Sequence, residues 1–340
     1  MKHGHGDDAY LLNKKIVADF SSNLWYGGLR PELKSHLAGM LDTIGHYPQV
    51  AGEQLQQQME KHLKLGADNI LLTDGATQGI YLIAQAFAGA TTTVVGPTYP
   101  EYADASRLFG HQVRYLNWDK LDHGIHIDSD IFFICNPNNP GGQVYPGEQL
   151  QQLVAANRKH IFVVDEAYIQ FTRETTSLIP HLHRLPNLLI LRSPTKAACF
   201  PGLRFGYIAG QKALLDKVRA YQMPWALNQL ALAAGSYLIT NPAIFEFPLD
   251  NLLADAFQLR EKLKAIPELK VYPTYTHYFL FETLTGTAAE LKSWLVDKYG
   301  ILIRDASNIE GLSNGFCRVA CRGEKDNKLL VTALKKWALQ

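Results

Sequence analysis

A lysine at position 196 stands in Ser193-Pro194-Thr195-Lys196, and an arginine follows eight residues later in Gly202-Leu203-Arg204-Phe205-Gly206-Tyr207. A lysine amine can condense with an aldehyde to a Schiff base, while neighbouring hydroxyls and a guanidinium fork suit a phosphate. Upstream, Asp165-Glu166-Ala167-Tyr168 closes an apolar run, so Asp165 could be buried against a protonated ring nitrogen. Asn139, in the turn-rich string Cys135-Asn136-Pro137-Asn138-Asn139-Pro140-Gly141-Gly142, can donate an amide proton to a phenolate oxygen. Gly75-Ala76-Thr77 opens a helical run after a strand-like one and offers backbone N–H groups to an anion, helped by the helix dipole. One small molecule would use all of these groups: pyridoxal 5′-phosphate, whose aldehyde, ring nitrogen, phenolic oxygen and phosphate match them in turn. Taken singly, each has a structural alternative: a solvated surface lysine, a strand-end aspartate capping a turn, a tight Asn-Pro loop.

These residues need a scaffold that brings distant loops together. The apolar runs 70–73, 131–134 and 161–164 read as buried parallel strands, and each is followed by one of the polar motifs. Strand-like and helix-like runs alternate between about residues 70 and 210, which predicts a mostly parallel, doubly wound sheet in an α/β fold. Ligands sit at the C-terminal strand ends of such sheets. Leu55, Met59 and Leu63 recur every four residues and predict a helix over 53–65 with one buried stripe. After Gln222 the pattern changes to helices over 228–238 and 243–265, then short strands over 269–271, 277–281 and 316–319. We therefore expect an N-terminal arm (1–34), a large domain (35–240) and a smaller α+β domain (241–340).

Five motifs in this order, Gly75-Ala76-Thr77, Pro97-Thr98-Tyr99, Asn139 to Gly142, Asp165 to Tyr168, and Ser193 to Lys196 with Arg204, resemble the fold-type I pyridoxal phosphate enzymes of the class I and II aminotransferase family. The resemblance covers nearly the whole chain. It implies that Lys196 carries the Schiff base, that Asp165 pairs with the pyridine nitrogen, and that Tyr168 and Asn139 reach the phenolic oxygen. It further implies that Tyr99 stacks on the ring and that Gly75, Ala76, Thr77, Ser193, Thr195 and Arg204 hold the phosphate. Relatives supply a tyrosine such as Tyr47, in His46-Tyr47-Pro48, to the neighbouring subunit's phosphate, so a homodimer with shared active sites is expected; the alternative is an aromatic residue packing a loop. The two ends of the chain are similar to the threonine-phosphate decarboxylase branch of cobalamin synthesis, near the histidinol-phosphate aminotransferases. The matching strings are His5-Gly6, Asp19 to Asn23, Gln222-Met223-Pro224-Trp225-Ala226-Leu227-Asn228, Ile301 to Arg304, and Cys317 to Arg322. That likeness implies a phosphorylated amino acid substrate bound by His5, Gly6, Asn23, Asn139, Arg304 and Arg318, with Lys196, Asp165 and Tyr168 catalytic. The implied reaction is decarboxylation of L-threonine O-3-phosphate, with transamination of histidinol phosphate as the alternative. Tyr99 stands where a phenylalanine is expected, Gly141-Gly142 where Thr-Gly is, and Asp7 in a glycine-asparagine context.

Composition sets limits. At 340 residues and 47% hydrophobic the chain can bury a sizeable core, and 33 basic against 32 acidic residues give no reason to expect nucleic acid or an anionic membrane as partner. The polar N-terminal string and the absence of a long apolar run lead us to expect a cytoplasmic protein. Cys135, Cys199, Cys317 and Cys321 lack zinc or disulfide spacing and read as small apolar residues. His3 and His5 have no third or fourth ligand in view, so no metal is expected. A binding protein that has lost turnover is disfavoured by the complete set Lys196, Asp165, Tyr168, Asn139 and Arg204.

Overall fold

The run Ile131–Cys135 shows how the scaffold forms: Ile131, Phe133 and Cys135 join one apolar cluster while Phe132 and Ile134 join another. Period-two alternation with both faces apolar is what a strand covered by helices on both sides requires. The computed structural model describes residues 6–122 and 124–339. After a short strand β1 (Ala18–Asp19) come helices α1 (Pro31–Gly39) and α2 (Glu53–His62). Then follow β2 (Ile70–Thr73), α3 (Gly75–Ala86), β3 (Thr91–Gly96), α4 (Glu101–Leu108), β4 (Gln112–Asn117), β5 (Ile131–Cys135), α5 (Gly147–Ala156), β6 (Ile161–Asp165), β7 (Leu188–Arg192) and β8 (Gly206–Gly210). These strands make one seven-stranded sheet in the order β2-β8-β7-β6-β5-β3-β4. It is parallel except for β8, which runs antiparallel to both neighbours. The mostly parallel sheet expected from the sequence is therefore present. Chain order reverses between β3 and β5, which opens a crevice at their C-terminal ends.

Helices α3, α4 and a further helix α6 (Lys212–Arg219) cover one face through Ile80, Ile83, Tyr102, Leu215 and Val218. The other face carries α2, α5 and α7 (Gln229–Thr240) through Met59, Leu150, Leu153 and Ala231. The helix expected over 243–265 is interrupted. A single-turn helix occupies Pro242–Phe245, and α8 spans only Leu249–Lys264, because Pro248 lacks an N–H and disfavours helical geometry in the residue before it.

A third apolar cluster lies around a four-stranded antiparallel sheet in the order β12-β13-β10-β9, from β9 (Leu269–Val271), β10 (Tyr278–Thr283), β12 (Arg304–Asp305) and β13 (Phe316–Ala320). It packs against α8, α9 (Ala288–Tyr299) and α10 (Glu324–Trp337). Thr287 and Glu290 close a reciprocal capping box that starts α9. The N-terminal segment is bonded into this unit: β1 pairs in parallel with β11 (Ile301–Leu302), and the Phe20 backbone bonds to Leu302 and Ala320. Among the described residues no helix is long and apolar enough to cross a membrane.

Candidate active site

Parallel strands deliver their C-terminal residues to one edge of the sheet, and the reactive groups meet there. Asp165 ends β6, fully surrounded by protein. Its Oδ2 accepts a hydrogen bond from the Tyr102 hydroxyl at 2.6 Å and its Oδ1 accepts from the Ala167 N–H at 2.9 Å. Burial pushes the Asp165 carboxyl above its ordinary range, and these two donors oppose the shift. Lys196 lies on the loop after β7, whose backbone is tied to the N-terminal segment by the Trp25 N–H on the Lys196 carbonyl and the Cys199 thiol on the Trp25 carbonyl. Burial, followed by the charges of Arg318 and Arg204, lowers the Lys196 ammonium to about 8. At pH 7 about a tenth of the side chain is thus neutral and nucleophilic, far more than for an ordinary lysine.

The loop from Lys196 returns to β8 through two non-glycine residues in left-handed conformation, Cys199 and Arg204. Each costs about 1–2 kcal/mol, a strain the surrounding packing must hold. At Arg204 the outcome is a guanidinium laid over the first turn of α3. A Cβ on Gly75 would stand 2.3 Å from Arg204 Nη2, and Gly75 itself has a φ of +74°. Only glycine serves there. The unpaired N–H groups at the start of α3 and the Arg204 side chain thus share one anion-sized corner.

The opposite wall comes from the N-terminal arm and the small sheet. Arg318 on β13 donates to Asn139 Oδ1 at 2.6 Å and to the Ser21 carbonyl, while Asn23 Nδ2 approaches the same Asn139 oxygen at 3.4 Å. With its oxygen so engaged, Asn139 keeps its amide N–H groups for the cavity. The Asn138 side chain accepts from Thr98 and donates to the Pro97 carbonyl, which locks the loop after β5 to the loop after β3. Between these walls lies a cavity of about 220 Å³. Of the residues expected from the sequence, Gly6, Asn23, Gly75, Ala76, Thr77, Tyr99, Asn139, Asp165, Tyr168, Ser193, Lys196, Arg204 and Arg318 line it. Burial pushes the Tyr99 hydroxyl up to about 12 and raises that of Tyr168.

Three expected residues lie elsewhere, and a fourth is beyond view. Thr195 is buried behind the wall with its hydroxyl 3.1 Å from that of Ser193. Arg304 is paired across the sheet with Arg318 but turns its guanidinium to Asn308 Oδ1, at 2.7 Å, and to the Asp305 carbonyl. Tyr47 is 85% exposed and packs against Trp225 at 5.2 Å between ring centroids. His5, like His3, lies outside the described residues. The sequence reading missed Tyr102, Ser21 and Cys135, which also line the cavity. The signal for Tyr102 was available, since a phenol in the first turn of a buried helix needs an acceptor. A larger depression, about 690 Å³, lies between α2, α7 and the Pro242–Phe245 turn; Arg192, which pairs with the buried Glu166 at 3.0 Å, is part of its lining. Lys196 is not part of its lining.

Comparison with known proteins follows the same lines. The family model "Aminotransferase class I and II" matches residues 15–334. The chain belongs to the aminotransferase class I and II family. A threonine-phosphate decarboxylase of Salmonella typhimurium is 31% identical over 94% of this chain and 90% of that protein. A histidinol-phosphate aminotransferase of Methanococcus aeolicus is 25% identical over 96% of this chain and 91% of that one. The crystal structure of L-threonine-O-3-phosphate decarboxylase from Porphyromonas gingivalis superposes with a TM-score of 0.92 at 32% identity, covering 95% of this chain and 100% of the other. The chain is a pyridoxal phosphate enzyme of fold type I. The residues present fit that cofactor. A buried amine with a depressed titration, a buried carboxylate with lone pairs to spare, and a glycine-floored anion corner lie around one cavity.

Proposed function

We propose that this member of the family decarboxylates L-threonine O-3-phosphate to (R)-1-amino-2-propanol O-2-phosphate. The observation that carries the reading is the wall built by the arm and the small sheet. Gly6, Asn23 and Arg318 line the same cavity as Lys196 and provide a cation and amide donors for an amino acid that bears both a carboxylate and a phosphate. The similarity to threonine-phosphate decarboxylases at 31% and 32% identity supports it.

Pyridoxal phosphate, when bound, supplies a conjugated ring able to take the electron pair of whichever substrate Cα bond stands perpendicular to it. Lys196 would hold that group through its Nζ until the substrate's amine takes its place, and Asp165 would balance the charge of the ring nitrogen. Arg204, Ser193 and the Gly75-Ala76-Thr77 turn would hold the phosphate, with Thr195 bracing Ser193. Tyr168 and Asn139 would donate toward the phenolic oxygen and Tyr99 would pack on the ring. Arg318, Asn23, Gly6 and His5 orient the substrate so that the bond to its carboxylate, and not the one to its α-hydrogen, is the one broken. After carbon dioxide leaves, Lys196 Nζ delivers a proton to Cα, so that one hydrogen replaces the carboxyl group. Arg304 joins the substrate's anionic groups by exchanging Asn308 for them.

Incubation of holoenzyme with L-threonine O-3-phosphate is expected to release carbon dioxide with no keto acid consumed. No release would end the reading. The 25% likeness to histidinol-phosphate aminotransferases supports a second one, transamination of a phosphorylated amine, for which glutamate would form from 2-oxoglutarate. We further infer a homodimer in which Tyr47 serves the neighbouring site, supported by the exposed apolar group of Ile44, Tyr47, Met223 and Trp225.

A further inference from the structure

We infer that Tyr102 is a positioning residue for Asp165, holding its carboxylate ionised and aimed so that the ring nitrogen of the cofactor stays protonated. Tyr102 belongs to the first turn of α4 and is 1% exposed, so its hydroxyl depends on protein acceptors. Its hydrogen bond to Asp165 Oδ2 is short, at 2.6 Å, and Asp165 is itself 5% exposed. The ring is pinned from two sides: it stacks on Phe133 at 5.3 Å and meets Tyr99 edge-on at 5.7 Å. The Ala167 N–H fixes the other carboxylate oxygen. The two donors thus fix the rotation of the carboxylate and oppose the burial that drives it toward its neutral form; the Lys196 charge acts in the same sense and the Glu166 charge against it. A neutral Asp165 could not hold a proton on the pyridine nitrogen. A phenol suits this duty, because burial raises its own ionisation well above the ordinary tyrosine range and keeps it a donor throughout the working pH range. The aromatic contact with Tyr99 ties the same residue to the group proposed to cover the ring face.

This rests on the reading that Asp165 faces the pyridine nitrogen, and the test separates the two. Holoenzyme is prepared with nitrogen-15 in the pyridine ring, and the ring-nitrogen resonance is followed from about pH 6 to 9 in the wild type, Tyr102→Phe, Asp165→Asn and the double variant. Tyr102→Phe keeps the aromatic stack and deletes only the hydroxyl. The nitrogen is expected to lose its proton within that range in Tyr102→Phe, with the cofactor dissociation constant raised about tenfold, the loss expected for a hydrogen bond to a charged group. The rate constant kcat should fall while KM stays nearly unchanged. In the Asp165→Asn background the tyrosine change should add nothing. An unaltered ring-nitrogen resonance in Tyr102→Phe, or effects of the two substitutions that simply multiply, would overturn the proposal. A response to Asp165→Asn alone leaves the aspartate reading standing and sinks only the tyrosine's role. No response to either sinks both. If Tyr102→Phe does not fold, 4-aminophenylalanine at the same position, a weaker donor of the same shape, should bring loss of the ring-nitrogen proton into the same range; an unaltered resonance rejects the proposal.

Discussion

Lys196 is where a physical property of one side chain has a measurable outcome. Its folded-state ammonium titrates near 8 against an ordinary 10.5, because burial and two arginines disfavour the charge. The rate at which apoenzyme takes up pyridoxal phosphate should therefore rise with pH and level off just above about pH 8; a rise continuing to about pH 10 would contradict the depressed value. The sign for stability follows by linkage. Below about 8 both folded and unfolded lysines are protonated. Between about 8 and 10.5 the unfolded chain binds more protons, so apoenzyme stability gains from this residue as pH rises. Lys196→Met should remove that gain. Lys196→Ala should leave the fold intact and abolish the covalent adduct trapped by borohydride; a trapped adduct on the variant would mean another lysine carries the cofactor. Arg318→Ala should cost about 2–5 kcal/mol of substrate binding, read from KM. Since Arg318 also holds the Asn139 oxygen, a modest loss of cofactor affinity should accompany it, smaller than the loss for substrate.

At the level of elements, the turn from β2 to α3 joins local conformation to the anion corner. Gly75→Ala puts a Cβ against Arg204 and forces a positive φ on alanine. It should lower stability by about 1–3 kcal/mol, seen in thermal unfolding, and weaken pyridoxal phosphate more than unphosphorylated pyridoxal. Equal weakening of both would show that the corner does not hold the phosphate. The strands beneath the site were legible because β5, β6 and β2 are short continuous apolar runs rich in β-branched and aromatic residues and bounded by turn residues, too short for a buried helix. The break before α8 has a local sign in Pro248, whose ring removes an N–H inside an otherwise helical stretch. Tyr102 escaped because a helix-borne tyrosine reads equally as core. Its partner, Asp165, is 63 residues away.

For the whole molecule, the exposed cluster of Ile44, Tyr47, Met223 and Trp225 comes from two segments about 175 residues apart, joined by the Trp225 N–H on the Val50 carbonyl at 2.8 Å. Sedimentation should give a mass near twice 38.0 kDa, and Trp225→Glu should shift it toward the monomer while lowering activity through Tyr47. A monomeric wild type with full activity would remove the shared-site reading. The sequence by itself determined the family and the cofactor and singled out candidate residues near the strand ends, because each motif is local: a few adjacent residues define the turn, the charge and the nucleophile. Only the tertiary structure decided which of them share a cavity. It brought Arg318 onto Asn139 and Tyr102 onto Asp165, set Thr195 behind Ser193, turned Arg304 toward Asn308 and left Tyr47 on the surface. Those outcomes depend on packing between segments far apart in the chain, where burial and hydrogen-bond satisfaction choose among side-chain directions that the local sequence leaves equally open.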